Sequence, residues 1–187
     1  MKLGTLKHKG KMGLSLAPLQ SSDARELFAL TEASREHLRT WLPWVDATRS
    51  PRDSLRFIRF ALKQHAAGKG AHLAIRRRRE IAGVIGFCYV DWNSRKAELG
   101  YWLGAKHLGR GLATRSCRAL VDAAFSRLKL NRVEIRVDPK NAKSLAVPER
   151  LGFRAEGVLR EAHRLHGRYC DLAMYAMLRR DWKRGPI

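Results

Sequence analysis

Acidic residues are scarce in this chain: 17 Asp and Glu stand against 38 Lys and Arg in 187 residues, a formal net charge of +21. Such an excess draws anionic partners, weakens with salt and disfavours a polycationic substrate. It reads either as a steering field or as a solvated basic surface suited to work near RNA. Cysteine is also rare. Cys88, Cys117 and Cys170 are odd in number, far apart and set in apolar patterns, which argues against a disulfide scaffold and for small buried hydrophobes, not metal ligands or nucleophiles. No apolar run approaches the ~20 residues of a membrane span, and the longest, Ile81 to Val90, has the length of a strand. Residues 1–20 carry lysines but no apolar segment of signal-peptide length, so the expectation is a cytoplasmic protein with no membrane partner. Internal repeats and low-complexity segments are absent too. With 45% hydrophobic content, the chain is long enough for one domain spanning 1–187.

What is present is a hydrophobic period that switches along the chain. Leu14 to Leu19 alternates as a first strand, and Ser21, Ser22 and Asp23 offer N-caps for a helix to about Arg35. Leu38, Trp41, Leu42, Trp44 and Val45 fall at helical spacing between Glu36 and Asp46, and Pro51 after Ser50 opens a helix that Gly68 and Gly70 close. From Ala71 the pattern becomes that of strands: Ala71 to Arg76, Ile81 to Trp92 and Arg95 to Leu103 read as an antiparallel meander. The arginine run from Arg76 to Arg79 could serve as a nucleic-acid patch, but an expected hairpin tip is solvated in any case, and the run lacks the interleaved aromatics of an RNA surface. Ala113, Cys117, Leu120, Val121, Ala124, Phe125 and Leu128 form one face of a helix. A strand from Asn131 to Val137, a helix from about Asn141 to Leu151, and strands near Arg154 to Glu161 and Tyr169 to Leu178 complete an α/β domain.

Between Glu98 and Thr114 an alternating strand runs into a glycine-rich bend and opens that best-patterned helix. Amides at a helix N-terminus lack intrahelical partners and carry the positive end of the dipole, so the bend is a phosphate-holding device where Gly109 and Gly111 permit close approach. It is not a dinucleotide fold, which wants glycine or alanine where Thr114 stands and a parallel strand before it. Nor is it a Walker loop, since no Gly-Lys-Ser/Thr follows.

The segment Lys106-His107-Leu108-Gly109-Arg110-Gly111 resembles the pyrophosphate loop of the Gcn5-related N-acetyltransferases, Arg/Gln-x-x-Gly-x-Gly/Ala, with lysine in first place. Downstream, Asn141-Ala142-Lys143-Ser144, Glu149 to Phe153, Glu156-Gly157, Asp171, Tyr175 and Asp181-Trp182 are similar to the Rim-type branch, which acetylates ribosomal-protein N-termini. Upstream, Glu36 to Trp44 resembles that branch's substrate-side segment, so the resemblance runs from about Leu14 to Trp182. It implies a mixed, mostly antiparallel sheet flanked by helices, with acetyl-CoA as co-substrate and no metal. The pyrophosphate would lie on the amides of Leu108, Gly109, Arg110, Gly111, Leu112 and Ala113, aided by Lys106, Arg110 and the Thr114 hydroxyl. The pantetheine arm would pair beside Trp102 and Leu103, and Asn141 and Ser144 would stand on the cofactor side.

Acetyl transfer needs a neutral amine and a protonated leaving thiolate. Glu98, on the face shared by Gly100 and Trp102, is where related transferases carry a glutamate base; a purely structural Glu98 paired with an arginine is the alternative. The superfamily's usual acid, a tyrosine four residues before Gly152-Phe153, is replaced by Pro148, which leaves Ser144 to hydrogen-bond the departing sulfur or simply to start the helix. A proline inside this helix also withdraws the amide that would bond the Ser144 carbonyl, so a local kink and a carbonyl open to water or ligand are expected. His163, where the branch commonly has glutamate, is a second base candidate. Trp41 and Trp44 are substrate-side candidates that could equally serve the core or a homodimer contact. The leading function is acetylation of an acidic protein N-terminus, ribosomal by resemblance; a small-molecule amine acetyltransferase and an idle acetyl-CoA fold that binds ribosomal RNA are the alternatives.

Overall fold

The computed structural model describes residues 5–7 and 13–183. Eight strands, β1 (Leu6–Lys7), β2 (Leu14–Pro18), β3 (Ala71–Arg77), β4 (Glu80–Asp91), β5 (Lys96–Leu103), β6 (Arg132–Val137), β7 (Arg154–Leu165) and β8 (Arg168–Leu178), form one sheet in the order β1-β2-β3-β4-β5-β6-β8-β7. Five helices, α1 (Ala24–Glu32), α2 (Arg35–Arg39), α3 (Pro51–Ala66), α4 (Leu112–Ser126) and α5 (Ala142–Arg150), accompany it. Every pairing is antiparallel except β5 with β6, which are joined by α4 as a parallel connection requires. The mixed, mostly antiparallel sheet is therefore as expected, with β1 too short to leave a readable pattern.

Strand alternation divides the core between the two faces of the sheet. Leu99 and Leu103 of β5 and Val133 and Ile135 of β6 pack with Cys117, Leu120, Val121 and Phe125 of α4. Ala74, Ile81 and Val84 turn the other way, onto Leu27 and Leu30 of α1 and Ile58 of α3, and Trp102 lies against this second cluster.

Three expectations are corrected. The helix expected after N-caps at Ser21 to Asp23 does begin after Asp23, as α1, with a 3-10 turn over Ser21–Asp23 before it, but it stops short of Arg35, before Ser34 leaves helical geometry at φ −125°. Ser34 Oγ then accepts the Ala105 amide at 3.0 Å, tying that break to the loop after β5. The segment from Glu36 to Asp46 is not continuous helix: Pro43 forces Leu42 into an extended conformation (φ −126°, ψ 116°), so α2 ends and a 3-10 turn, Pro43–Ala47, follows. Of the cysteines, Cys117 is buried and Cys170 half-buried, but Cys88 is exposed. It is the extra residue of a β-bulge, since Phe87 pairs with Leu99 and Tyr89 with Glu98.

Candidate active site

The parallel ladder between β5 and β6 is three residues long: Lys96 with Arg132, Ala97 with Val133, and Glu98 with Glu134. Beyond it the two strands part. β5 keeps its outer edge on β4 through Leu103, and β6 keeps its outer edge on β8 through Val137, so their facing edges lose each other as partners. A cavity of about 640 Å³ opens there, lined by Gly100, Trp102 and Leu103 of β5, Ile135 and Arg136 of β6, and Leu108 and Ala113 toward α4. Two facing, unpaired strand edges need hydrogen-bond partners, and an extended chain bearing amides supplies them.

At one end lies the glycine bend. Gly109 and Gly111 have φ of +71° and +69°, and an added Cβ would meet nothing within 4 Å at Gly109 and only the end of Arg115, at 3.9 Å, at Gly111. Backbone conformation, not crowding, selects glycine here, and the space over the loop is open. The first-turn amides of α4, Leu112 to Thr114, precede its internal hydrogen bonds and suit an anion. Leu112 is fully buried, so only its backbone serves such a site. Lys106 and Arg110 are exposed, and Lys106 Nζ lies 3.6 Å from Glu80. Lys106, Gly109, Arg110, Gly111, Leu112 and Thr114 thus form the loop and helix start beyond the cavity wall.

On the α5 side, Asn141 Oδ1 accepts the Ser144 amide at 3.1 Å as an N-cap. Pro148 lies inside the helix and offers no amide to the Ser144 carbonyl. That oxygen is not left for water or ligand: the Tyr101 hydroxyl donates to it at 2.9 Å, while Tyr101 Oη lies 3.1 Å from Ser144 Oγ. Burial pushes the phenol above its ordinary range, keeping it a donor. Because Tyr101 has one proton and gives it to the carbonyl, Ser144 O–H donates to Tyr101 Oη in turn. Tyr101 thereby fixes both the backbone and the hydroxyl of Ser144.

Glu98 lines the cavity and faces Arg136 Nε at 3.4 Å, while the same guanidinium reaches Glu134 at 3.8 Å. The arginine partner considered for Glu98 is therefore present. Beside it, Cys88 Sγ stands so close over Gly100 that an added Cβ would meet it at 2.8 Å. Although Cys88 is open to the cavity space, the protein packed around its sulfur, reinforced by the Glu98 carboxylate, pushes its thiol up to about 11, which keeps it protonated. Trp41, Leu42, Pro43 and Trp44 line the same cavity with His163, and the rings of Trp44 and Trp102 lie 5.5 Å apart. His72, edge-on to Phe57 at 5.5 Å, is pushed down by burial; His37 is pushed down by burial and then by Lys143. Both also line the cavity.

The structure thus gathers Glu98, Ser144, Asn141, His163, Trp41, Trp44, Trp102, Leu103, Leu108 and Ala113 around one space. Sequence reasoning missed Tyr101, Arg136, His37, His72 and Cys88. Pro148 signalled an orphaned carbonyl but not its donor, which comes from a strand 43 positions earlier. Several residues of the resemblance have structural ties instead: Glu149 accepts from the Tyr175 hydroxyl, Asp171 from the Glu161 amide, and Asp122 from the Trp182 indole. Among the described residues no group of three or more His, Cys, Asp or Glu could hold a metal ion.

Residues 14–154 match the acetyltransferase (GNAT) domain. The chain belongs to this family. It is 34% identical over 172 residues to a putative ribosomal N-acetyltransferase, YdaF, of Bacillus subtilis (strain 168), covering 91% of this chain and 93% of the relative. It is 28% identical over 165 residues to a ribosomal-protein-serine acetyltransferase of Escherichia coli (strain K12), covering 88% and 92%. Among solved structures, RimL, a ribosomal alpha-N-protein acetyltransferase in complex with coenzyme A, superposes with a TM-score of 0.85 at 28% identity over 88% of this chain and 93% of that one. The microcin self-immunity acetyltransferase MccE, in complex with acetyl-CoA and AMP, gives 0.85 at 29% identity over 88% and 92%. The split strands and open glycine loop of this GNAT acetyltransferase fit acetyl-CoA: free strand edges for an amide-bearing arm, and a helix start for a diphosphate. No helix among the described residues is long and apolar enough to cross a membrane.

Proposed function

We propose that this GNAT enzyme transfers acetyl from acetyl-CoA directly, in a ternary complex, to the α-amino group of a protein N-terminus, with ribosomal proteins as the acceptor class. The observation that carries the reading is the continuity of one cavity from the split between β5 and β6 to the wall of Trp41 and Trp44, with Glu98 and Ser144 on its sides. Acetyl-CoA supplies the activated acyl group. Glu98, oriented by Arg136, draws off the ammonium proton through water, with His163 as the second candidate. An α-amine has a pKa near ~8 against ~10.4 for lysine, so modest assistance suffices. Ser144, released from Tyr101 Oη, turns its hydroxyl to the departing sulfur, while Tyr101 keeps the backbone in place. Arg136 and Lys143 in the wall favour an acceptor with acidic character over a polyamine. The +21 charge speeds approach to ribosomal surfaces, RNA included, and the acceptor implies a cytoplasmic location.

Incubation with acetyl-CoA and total ribosomal proteins, followed by mass spectrometry, should show new acetyl groups on protein N-termini. Added salt should lower kcat/KM, and Ser144→Ala should lower turnover more than acetyl-CoA affinity. Absence of N-terminal acetylation alongside rapid acetylation of small amines would move the acceptor class to small molecules.

A further inference from the structure

The β7–β8 hairpin ends in a two-residue turn, with Leu165 paired to Arg168 and His166 and Gly167 at φ of +47° and +82°. Two successive positive φ values are the mark of a type I′ turn, whose first position favours Asn, Asp or Gly. A histidine there bears a backbone cost, so its ring calls for an explanation. That ring is only 23% exposed and is held at both nitrogens. Nε2 lies 2.7 Å from the Arg39 carbonyl, and Nδ1 lies 3.4 Å from Asp46 Oδ2.

Arg39 and Asp46 are the two ends of the segment that carries Trp41 and Trp44, and their side chains close on each other at 2.7 Å. Arg35 pins the same segment by donating to the carbonyls of Val45 and Thr48 at 2.7 and 2.6 Å. From the other side the hairpin contributes His163 and Leu172 to the cavity that Trp41 and Trp44 wall. His166 is therefore where the two halves of that wall are joined.

We infer that His166 is a positioning residue for the acceptor side, a latch that holds the tryptophan segment against the β7–β8 hairpin. The inference rests on the acceptor reading proposed above. One ring nitrogen meets the backbone at Arg39 and the other the side chain of Asp46, so the imidazole bridges both ends of the tryptophan segment.

His166→Asn tests this on the whole chain, because Asn-Gly is the preferred type I′ pair and keeps the turn while removing the ring. Hydrogen exchange across residues 40–46 should be about fivefold faster in the variant, the worth of one net hydrogen bond. With a purified ribosomal-protein fraction as acceptor, acceptor KM should rise about fivefold with acetyl-CoA KM unchanged. Exchange equal to wild type overturns the latch, and altered exchange with an unaltered acceptor KM overturns its positioning role. A wild-type enzyme that acetylates no ribosomal protein sinks the acceptor reading instead, and the exchange comparison alone then decides the latch.

Discussion

Tyr101 and Pro148 should be energetically coupled although neither touches the other's function directly: one removes a hydrogen bond from the Ser144 carbonyl and the other restores it. Tyr101→Phe leaves that carbonyl without its donor in a part-buried site, a loss of about 2 kcal/mol. It also frees the Ser144 hydroxyl from its 3.1 Å contact with Tyr101 Oη. In a Pro148→Ala background the residue at 148 regains an amide, which bonds the carbonyl four positions back in the ordinary helical way. With Pro148 in place the two losses sum to about 3 kcal/mol, whereas in the Pro148→Ala background Tyr101→Phe should cost only the hydroxyl contact, about 1 kcal/mol, which is lost in both backgrounds and cancels from the cycle. The coupling energy is thus about 2 kcal/mol, read from urea unfolding of wild type, the two single variants and the double variant. The phenylalanine variant should also lose turnover with little change in acetyl-CoA affinity, since Ser144 remains present but misdirected. Equal costs of Tyr101→Phe with and without Pro148, within about 0.4 kcal/mol, would refute the reasoning.

Two further outcomes follow from local geometry. Gly100→Ala should reduce stability and acetyl transfer because its Cβ meets Cys88 Sγ at 2.8 Å, and Cys88→Ala in the same chain should recover most of both, measured by thermal melting and initial rates. Burial lowers the His72 pKa in the folded chain, so the unfolded chain binds the extra proton first and stability declines as pH falls below about 6.5. His72→Phe, which keeps a ring against Phe57, should flatten that part of a stability-versus-pH curve; an unchanged slope would show that another group sets it.

Local patterns carried much of the architecture. The apolar stripe of α4 and the alternation of β3 to β5 are dictated by neighbours in the chain, and the structure has them at nearly the expected residues. The helical spacing of Leu38, Trp41 and Val45 points to one continuous helix, whereas the effect of Pro43 on Leu42 breaks it. The site was legible where its chemistry is local, as in Gly109 and Gly111. It was illegible where a role depends on partners far along the chain. Tyr101 alternates away from Glu98 and Gly100 and finds Ser144 only after α5 folds back; Cys88 reaches the cavity because a bulge reverses its strand's parity. His166 looks like turn filler until its ring is seen between Arg39 and Asp46.

The parting of β5 from β6 has a bearing on solubility as well as on binding. An open strand edge at the border of a sheet is a template on which another polypeptide can nucleate, and proteins ordinarily blunt it with charge, proline or distortion. Here the open edges look at each other from inside the sheet, with Leu108, Ala113, Ser144 and Val147 among the side chains around the slot. An intruding strand would need a free end thin enough to thread between two already paired strands. The enzyme thus keeps an edge ready for one small extended ligand while presenting none of it to neighbouring chains.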